Sequence, residues 1–314
     1  MIQTMEQRIR EEARKLLESG DVTLVIGWEA GSAPFKTTPV FIESPEDVDR
    51  LVWNPACTNN LAVYLPELAK HAKVGIVAKP CDTRSIVTLI QEKQVARENV
   101  RVIGLACAGV VDDAALSNAG LRLSEVRALD WDGENLKVST DSAAKSIPLS
   151  EAVKEGCRAC EQHMPVISDV TVGESNQQSA VSDQQSLCSF DDRRAYWAEQ
   201  FDRCIRCYAC RQVCPSCYCS LCFADRNDLK WTNKRMVASE AWMWHMGRAM
   251  HLAGRCIGCG ECERACPMGL PIMRLNREVA RHVEELFGYI PGMDLEEAPV
   301  LGRFDPEDKD PNEH

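Results

Sequence analysis

The sequence predicts an α/β domain over residues 1–172 followed by an all-α helical domain over residues 191–290. Three observations carry that division. Between residues 20 and 110, short apolar runs alternate with helical patterns, the order that builds a sheet with parallel segments. A polar stretch without periodicity, GESNQQSAVSDQQS (173–186), then interrupts the chain and marks a linker over 173–190. Beyond it, apolar residues recur at helical spacing around two dense runs of cysteine. The 314 residues suit two domains of about 100–200 residues each.

The elements follow in order. Ile2, Met5, Ile9, Ala13, Leu16 and Leu17 recur at helical spacing, so the N-terminus reads as an amphipathic helix. VTLVIGW (22–28) and TPVFI (38–42) read as strands, and residues 45–53 and 59–72 as helices. VGIVAKP (74–80) is a buried strand leading to Cys81, residues 82–94 form a helix, and VRVIGLAC (100–107) is a strand ending at Cys107. Residues 121–150 are patchier and hold a hairpin around Asp132–Gly133. After the linker, 191–204, 239–254 and 270–288 read as helices, with Met236, Trp242, Trp244, Met246 and Met250 assigned to helix core. The tail, 291–314, is acidic and proline-bearing, and is expected to extend over a partner or to lack order.

Composition excludes several functions. A net charge of −11 without a basic stripe argues against nucleic acid and against an anionic membrane surface. No run approaches the roughly 18 apolar residues of a membrane span, so no direct membrane insertion is expected. The charged N-terminus lacks a signal-peptide apolar stretch, and 17 cysteines in such a chain suit metal better than disulfides, so a cytoplasmic location is expected. The histidines show no metal-binding spacing, no Gly-x-Gly-x-x-Gly follows a strand, and no hydrolytic triad or carboxylate pair stands out.

The cysteines carry the chemistry. CIRCYACRQVCP (204–215) and CIGCGECERACP (256–267) share the spacing x2, x2, x3 and end in Cys-Pro. Such a turn presents three thiolates to one [4Fe–4S] cube, while the fourth cysteine reaches the other cube. Cys204, Cys207, Cys210 and Cys266 are therefore expected around one cluster, and Cys256, Cys259, Cys262 and Cys214 around a second; zinc or plain buried thiols is the alternative. The largely helical interval Pro215–Arg255 resembles the α-helical ferredoxin domain of iron–sulfur subunits of succinate dehydrogenase and heterodisulfide reductase, a resemblance covering about residues 191–285. CPSCYCSLC adds Cys217, Cys219 and Cys222. They read either as ligands of a fourth or unusual cluster, with Cys57 or Cys188 completing it, or as thiols packed near the other clusters.

A scattered set precedes the linker. Cys81 and Cys107 follow two strands, and Cys157 and Cys160 form a CxxC. Strand carboxyl ends meet at one edge of a parallel sheet, so a CxxC brought there would complete four thiolates. AKPCD (78–82), GLAC (104–107) and CRACEQHMPVISDVTVG (157–173) resemble the beta-subunit family of coenzyme F420-reducing hydrogenases and F420-dependent formate dehydrogenases, with its bacterial electron-transfer relatives. Lys79–Pro80 departs from that family's Thr-Pro element. The resemblance implies a flavin-type α/β domain binding FAD, and a third [4Fe–4S] cluster on Cys81, Cys107, Cys157 and Cys160. It also implies electron exchange between a deazaflavin hydride carrier and a partner subunit.

Thr58-Asn59-Asn60 opens a predicted helix whose free N–H groups suit a pyrophosphate, and Lys79 and Arg84 flank Cys81. Asn59, Asn60, Lys79 and Arg84 are thus the candidate flavin contacts; a simple N-cap at Thr58 or Asn59, and surface charges at the other two, are the plainer readings. The expected function is an electron-transfer flavo-iron–sulfur subunit. Its expected partners are a hydrogenase, a formate dehydrogenase or a heterodisulfide-reductase-like unit. A flavin-free relay and an assembly subunit with clusters as folding staples are the alternatives.

Overall fold

The computed structural model describes residues 2–33, 35–174, 190–228, 230–233, 235–302 and 306. Most of the proposed linker, with Cys188, lies outside the described residues. The N-terminal region is mixed α/β. Helix α1 (Ile2–Glu18) lays Ile9 and Ala13, one turn apart, onto the sheet core. Strands β1 (Leu24–Ala30) and β2 (Thr37–Ile42) pair antiparallel. The sheet order is β2-β1-β3-β4-β8, with β3 (Val74–Ala78), β4 (Val100–Leu105) and β8 (Val170–Val172) parallel to one another and β3 parallel to β1. All five residues of β3 are buried, as a central parallel strand requires.

Between β3 and β4 the chain crosses through helix α3 (Pro80–Gln91). It begins two residues earlier than the sequence pattern suggests. Pro80 occupies the first helical position, where its missing N–H is not needed, and the Asp82 carboxylate accepts from the Lys79 N–H at 2.8 Å. Cys81 therefore sits in the first turn of a helix, not at the tip of a strand.

Two expected helices are largely broken. Residues 45–50 form only a 3₁₀ turn capped by Ser44. The 59–72 stretch splits into a 3₁₀ turn, Leu61–Tyr64, and one turn of helix α2 (Leu65–Leu68), because Pro66 has no N–H with which to continue a helix from Leu61. The excursion between β4 and β8 holds α4 (Asp113–Asn118), strands β5 (Val126–Trp131), β6 (Asn135–Thr140) and β7 (Ala144–Pro148), and short helices α5 (Leu149–Ala152) and α6 (Glu155–Arg158). The hairpin at Asp132–Gly133 forms, with Gly133 at φ +109° and the Asp132 carboxylate accepting from Asn135 N–H at 2.8 Å. A third strand, β7, extends it to a meander over its own core of Leu116, Val126, Leu136, Val138 and Ile147.

After residue 190 the regular elements among the described residues are helices: α7 (Phe190–Asp202), α8 (Ala209–Gln212), α9 (Ala238–His251), α10 (Glu261–Arg264), α11 (Ile272–Phe287) and a 3₁₀ turn, Val300–Gly302. Trp244 is buried, but Met236 is 67% and Met250 51% exposed, against the expectation of core. Met236 precedes the helix start, and Met250 lies six residues from Trp244, about 240° around the helix and so off its buried face.

Polar clamps hold the helical part on α3. Arg255 grips the Glu92 carboxylate at 2.7 and 3.0 Å. The Arg84 guanidinium donates to the Pro291 carbonyl at 3.1 and 2.7 Å and to that of Ile257 at 3.4 Å. Gln91 reaches the carbonyls of Asp294 and Glu297, and the hydroxyl of fully buried Tyr289 donates to Gln91. The first part of the acidic tail thus extends over this chain's own α3. Gly292, at φ +75°, is required there: a Cβ would collide with the Arg84 carbonyl oxygen.

Candidate metal and cofactor sites

Parallel β3 and β4 end at the same sheet edge, and the first cysteine set gathers beyond it. Cys81 lies on the first turn of α3, Cys107 two residues past β4, Cys157 on α6 and Cys160 just after it. The loop is fixed by reciprocal bonds between Cys107 and His163, N–H to carbonyl at 3.0 Å and ring Nδ1 to carbonyl at 3.1 Å. Backbone N–H groups already point at sulfur: Gly109 N–H to Cys107 Sγ and Val110 N–H to Cys157 Sγ, both at 3.4 Å. Gly109, at φ +114°, has no room for a side chain beside Val153 and Cys157.

All four sulfur-bearing residues line one cavity of about 1130 Å³. Its far wall comes from the helical part, through Cys256, Cys259 and residues of α11. Burial pushes the Cys107 thiol up to about 12, and the Cys81 and Cys157 thiols also upward. Uncharged thiols in a buried group are what a metal displaces protons from, and a cluster's iron supplies the positive charge that burial withholds. The donor set therefore fits an iron–sulfur cluster. Among the described residues, no three of His, Cys, Asp and Glu are drawn together around a single metal ion.

Of the residues expected to touch a flavin, Asn60, Lys79 and Arg84 line this cavity. The structure gives each a partner within the chain. Asn60, not Thr58 or Asn59, is the N-cap: its carbonyl accepts from Ala62 N–H at 3.1 Å and its amide donates to Ser85 at 3.0 Å. Asn59 contributes its backbone carbonyl to the Lys79 ammonium at 2.6 Å. Lys79 is 1% exposed, 3.1 Å from the Asp82 carboxylate, and stands over the Trp28 ring at 4.1 Å. Burial pulls its pKa down, but the charges of Asp82, Cys81 and Cys107 overrule it and the net shift is upward. Burial raises Asp82 to about 6 against the pull of Lys79. Arg84 is the tail clamp described above.

The second set surrounds a smaller cavity, lined by Cys204, Cys207, Cys210 and Cys266 together with Trp244 and His245. One run thus supplies three sulfurs and the other run the fourth. Arg206 N–H points to Cys204 Sγ and Leu270 N–H to Cys266 Sγ, each at 3.4 Å. Of the third expected set, Cys262 is buried and Cys256, Cys259 and Cys214 are half-buried; burial raises the Cys256, Cys259 and Cys262 thiols, followed by negative charge on Cys214 at Cys256 and Cys262 and on Glu261 at Cys259. Cys256 and Cys259 line the same cavity as Cys81, so the third set adjoins the first.

The additional thiols point in different directions. Cys217 N–H donates to the Cys214 carbonyl at 3.0 Å, and the Cys214 thiol is held below its usual range by the adjoining Cys217 thiol and by Arg248. Cys219 is exposed, and Cys222 lies against Arg211. Cys57 is buried in the sheet core, accepting from Asn54 N–H at 3.4 Å, with burial raising it to about 12. Sequence reasoning did not single out His245, Arg248 or the α11 arginines. Arg274, Arg277 and Arg281 fall at i, i+3 and i+7 on one helix face, a pattern that marks a common surface.

Comparison with known proteins agrees with the motifs. Residues 71–189 match the family described as the C terminus of the coenzyme F420 hydrogenase/dehydrogenase beta subunit, and residues 203–271 match a 4Fe–4S dicluster domain. The chain is 22% identical, over 91% of its length and 91% of the relative's, to an F420-dependent formate dehydrogenase subunit beta of Methanocaldococcus jannaschii. It is 25% identical, over 91% of its length and 90% of the relative's, to the F420-dependent formate dehydrogenase 1 subunit beta of Methanococcus maripaludis. A chain in a structure of the F420-reducing [NiFe] hydrogenase complex from Methanosarcina barkeri aligns at TM-score 0.40 and 18% identity, covering 51% of this chain and 59% of that one. The resemblance read from Cys81, Cys107 and the CxxC is borne out, as is the 4Fe–4S character of the paired runs. Among the described residues, no helix is long and apolar enough to cross a membrane.

Proposed function

We propose that this chain, similar to F420-linked beta subunits and joined to a dicluster domain, is an electron-transfer subunit of a multi-subunit oxidoreductase. In this reading it holds three [4Fe–4S] clusters, on the three cysteine sets above, and an FAD in the shared cavity. The carrying observation is the cavity itself: four thiols of the α/β region and two of the helical part line one space of about 1130 Å³. That volume exceeds the usual 300–1,000 Å³ of a small-molecule site and leaves room for a dinucleotide beside a cube.

A bound flavin supplies exchange of two electrons as a hydride, and iron–sulfur clusters pass one at a time. The chain's own residues do the rest. Cys81, Cys107, Cys157 and Cys160 hold the cube nearest the flavin, and the Lys79–Asp82 pair fixes the turn that presents Cys81. His163 brings to the cavity a ring Nε2 that has no hydrogen-bond partner. Because Cys256 and Cys259 share a cavity with Cys81 while the Cys204 set lines its own, the Cys256 set is the next station and the Cys204 set the exit. The hydride carrier is the deazaflavin named for the relatives. The partner is the catalytic component of a formate dehydrogenase or hydrogenase, with a heterodisulfide-reductase-like unit as the acceptor. Among the described residues no disulfide joins these cysteines, which suits the cytoplasm.

Iron, sulfide and flavin quantitation on anaerobically purified complex tests this. The expected content is about twelve irons and one FAD per chain, given four irons per cube. Clusters without flavin would replace this reading with a flavin-free relay, and the partners in the same preparation name the donor and acceptor.

A further inference from the structure

We propose that helix α9 sets the reduction potentials of the two clusters in the helical part, through Arg248 at the Cys214 set and His245 at the Cys204 set. The inference rests on the cluster reading above and adds to it two residues and their division of labour.

His245 and Arg248 are three residues apart on α9, hence on one face. Both are nearly inaccessible, 2% and 3% exposed. His245 Nε2 lies 3.2 Å from Cys204 Sγ. Its ring stacks on Phe201, with centroids 4.5 Å apart and planes at 9°, so its aim at sulfur is fixed by packing. Arg248 donates from Nη2 to the Cys210 carbonyl at 3.1 Å, and its Nε has no hydrogen-bond partner. Its guanidinium also lies near the thiols of Cys214 and Cys217, and any negative charge on Cys214, Cys217, Cys262 or Cys210 favours its charged form.

A guanidinium taken out of water without a carboxylate is costly, and that cost persists only where another negative charge offsets it. Among the described residues no carboxylate pairs with Arg248, and the groups beside it that can carry negative charge are the thiolates of the cysteine sets, and through them their clusters. Reduction adds a negative charge to a cube. A fixed positive charge in a medium of low dielectric favours the reduced form and raises the potential, and an N–H aimed at sulfur acts in the same direction. The full charge of Arg248 should weigh more than the single bond from His245. Among the thiols near Arg248, that of Cys214 acts on it most, so the cube of its set should respond most.

The test is a potentiometric titration of the whole complex, followed by electron paramagnetic resonance. Arg248→Gln should lower the reduction equilibrium of the Cys214-set cluster at least about tenfold, which is about 59 mV for one electron, and move the Cys204-set cluster less. Arg248→Lys, which keeps the charge, should recover most of that shift. His245→Leu should lower only the Cys204-set cluster, by a smaller factor, and His245→Gln, which keeps a donor, should restore it. Unmoved midpoints in Arg248→Gln and His245→Leu, with iron content intact, would overturn the inference and leave the cluster assignment standing. Absence of the two clusters from the unsubstituted protein would overturn both. Should Arg248→Gln fail to take up iron, pulsed resonance on the unsubstituted protein decides. With nitrogen-15 confined to the histidine ring and the arginine guanidinium, a histidine coupling at the Cys204-set cluster and an arginine coupling at the Cys214-set cluster support the proposal, and absence of either sinks it.

Discussion

The two cysteine runs share one spacing and one backbone path but reach it with different residues. In the second run the chain turns through left-handed conformations at Gly258 (φ +72°) and Gly260 (φ +76°), which glycine adopts without strain. In the first run the equivalent positions are Arg206 (φ +51°) and Tyr208 (φ +59°), where a Cβ makes the same turn cost about 1–2 kcal/mol per residue. The turn persists because its side chains are held. Arg206 donates to the carbonyls of Asn233 and Arg235 and to the Tyr208 hydroxyl, and the Tyr208 ring packs edge-on against Trp244 at 4.7 Å. The second run faces the cavity shared with the α/β region, while the first sits under its own aromatic cover. The same pair of left-handed turns is thus obtained once by permissive backbone and once by anchored side chains. The strained copy is the one farther from the proposed flavin.

Four changes break or sharpen that contrast. The largest effect is expected outside both runs. Cys81→Ser should remove about one third of the iron, one cube in three, and leave the paired runs spectroscopically unchanged. Elemental analysis checks this, and unchanged iron would show that the α/β set holds no cluster. Next, Arg206→Ala should destabilise the first run by about 2–4 kcal/mol, since it removes three hydrogen bonds of a nearly buried guanidinium while keeping the left-handed turn. Thermal loss of the cluster absorbance should then occur first in the Cys204 set. Gly258→Ala should cost about 1–2 kcal/mol, from strain alone, because nothing lies within 4 Å of its added Cβ. Equal losses from these last two would erase the proposed distinction.

The smallest effect serves as a control away from both runs. The Arg101 guanidinium holds the Asp21 carboxyl below its usual range. A depressed carboxylate contributes above its unfolded pKa, and that contribution fades as pH falls through the lower folded value. Asp21→Asn should therefore give a slight, salt-sensitive loss near neutrality that vanishes in acid, read from unfolding midpoints.

Much of this arrangement was legible in the residues. Parallel strands announce themselves as continuous apolar runs, so Cys81 and Cys107 could be placed at one sheet edge. The x3-Cys-Pro ending of each run carried its own cross-over, and Cys266 does line the cavity of Cys204, Cys207 and Cys210. Other features are invisible in one dimension. The 59–72 pattern is amphipathic, yet Pro66 breaks it locally. The tail's composition suggests solvent, but its backbone carbonyls serve Arg84 and Gln91, and backbone groups leave no mark in sequence. Lys79 and Arg84 carry the charges a phosphate would seek, and only three dimensions show those charges already engaged. His245 and Arg248 lie hidden among the Met and Trp of α9, where periodicity reports burial and not what burial is against.

The central claim is that the α/β cysteine set and the paired runs form one conducting series. Magnetic resonance on the fully reduced, unsubstituted complex tests it most directly. The account predicts three reduced cubes, with the Cys81-set cluster spin-coupled to the Cys256-set cluster and that coupling lost in Cys81→Ser. Two cubes alone, or three without coupling, would contradict it.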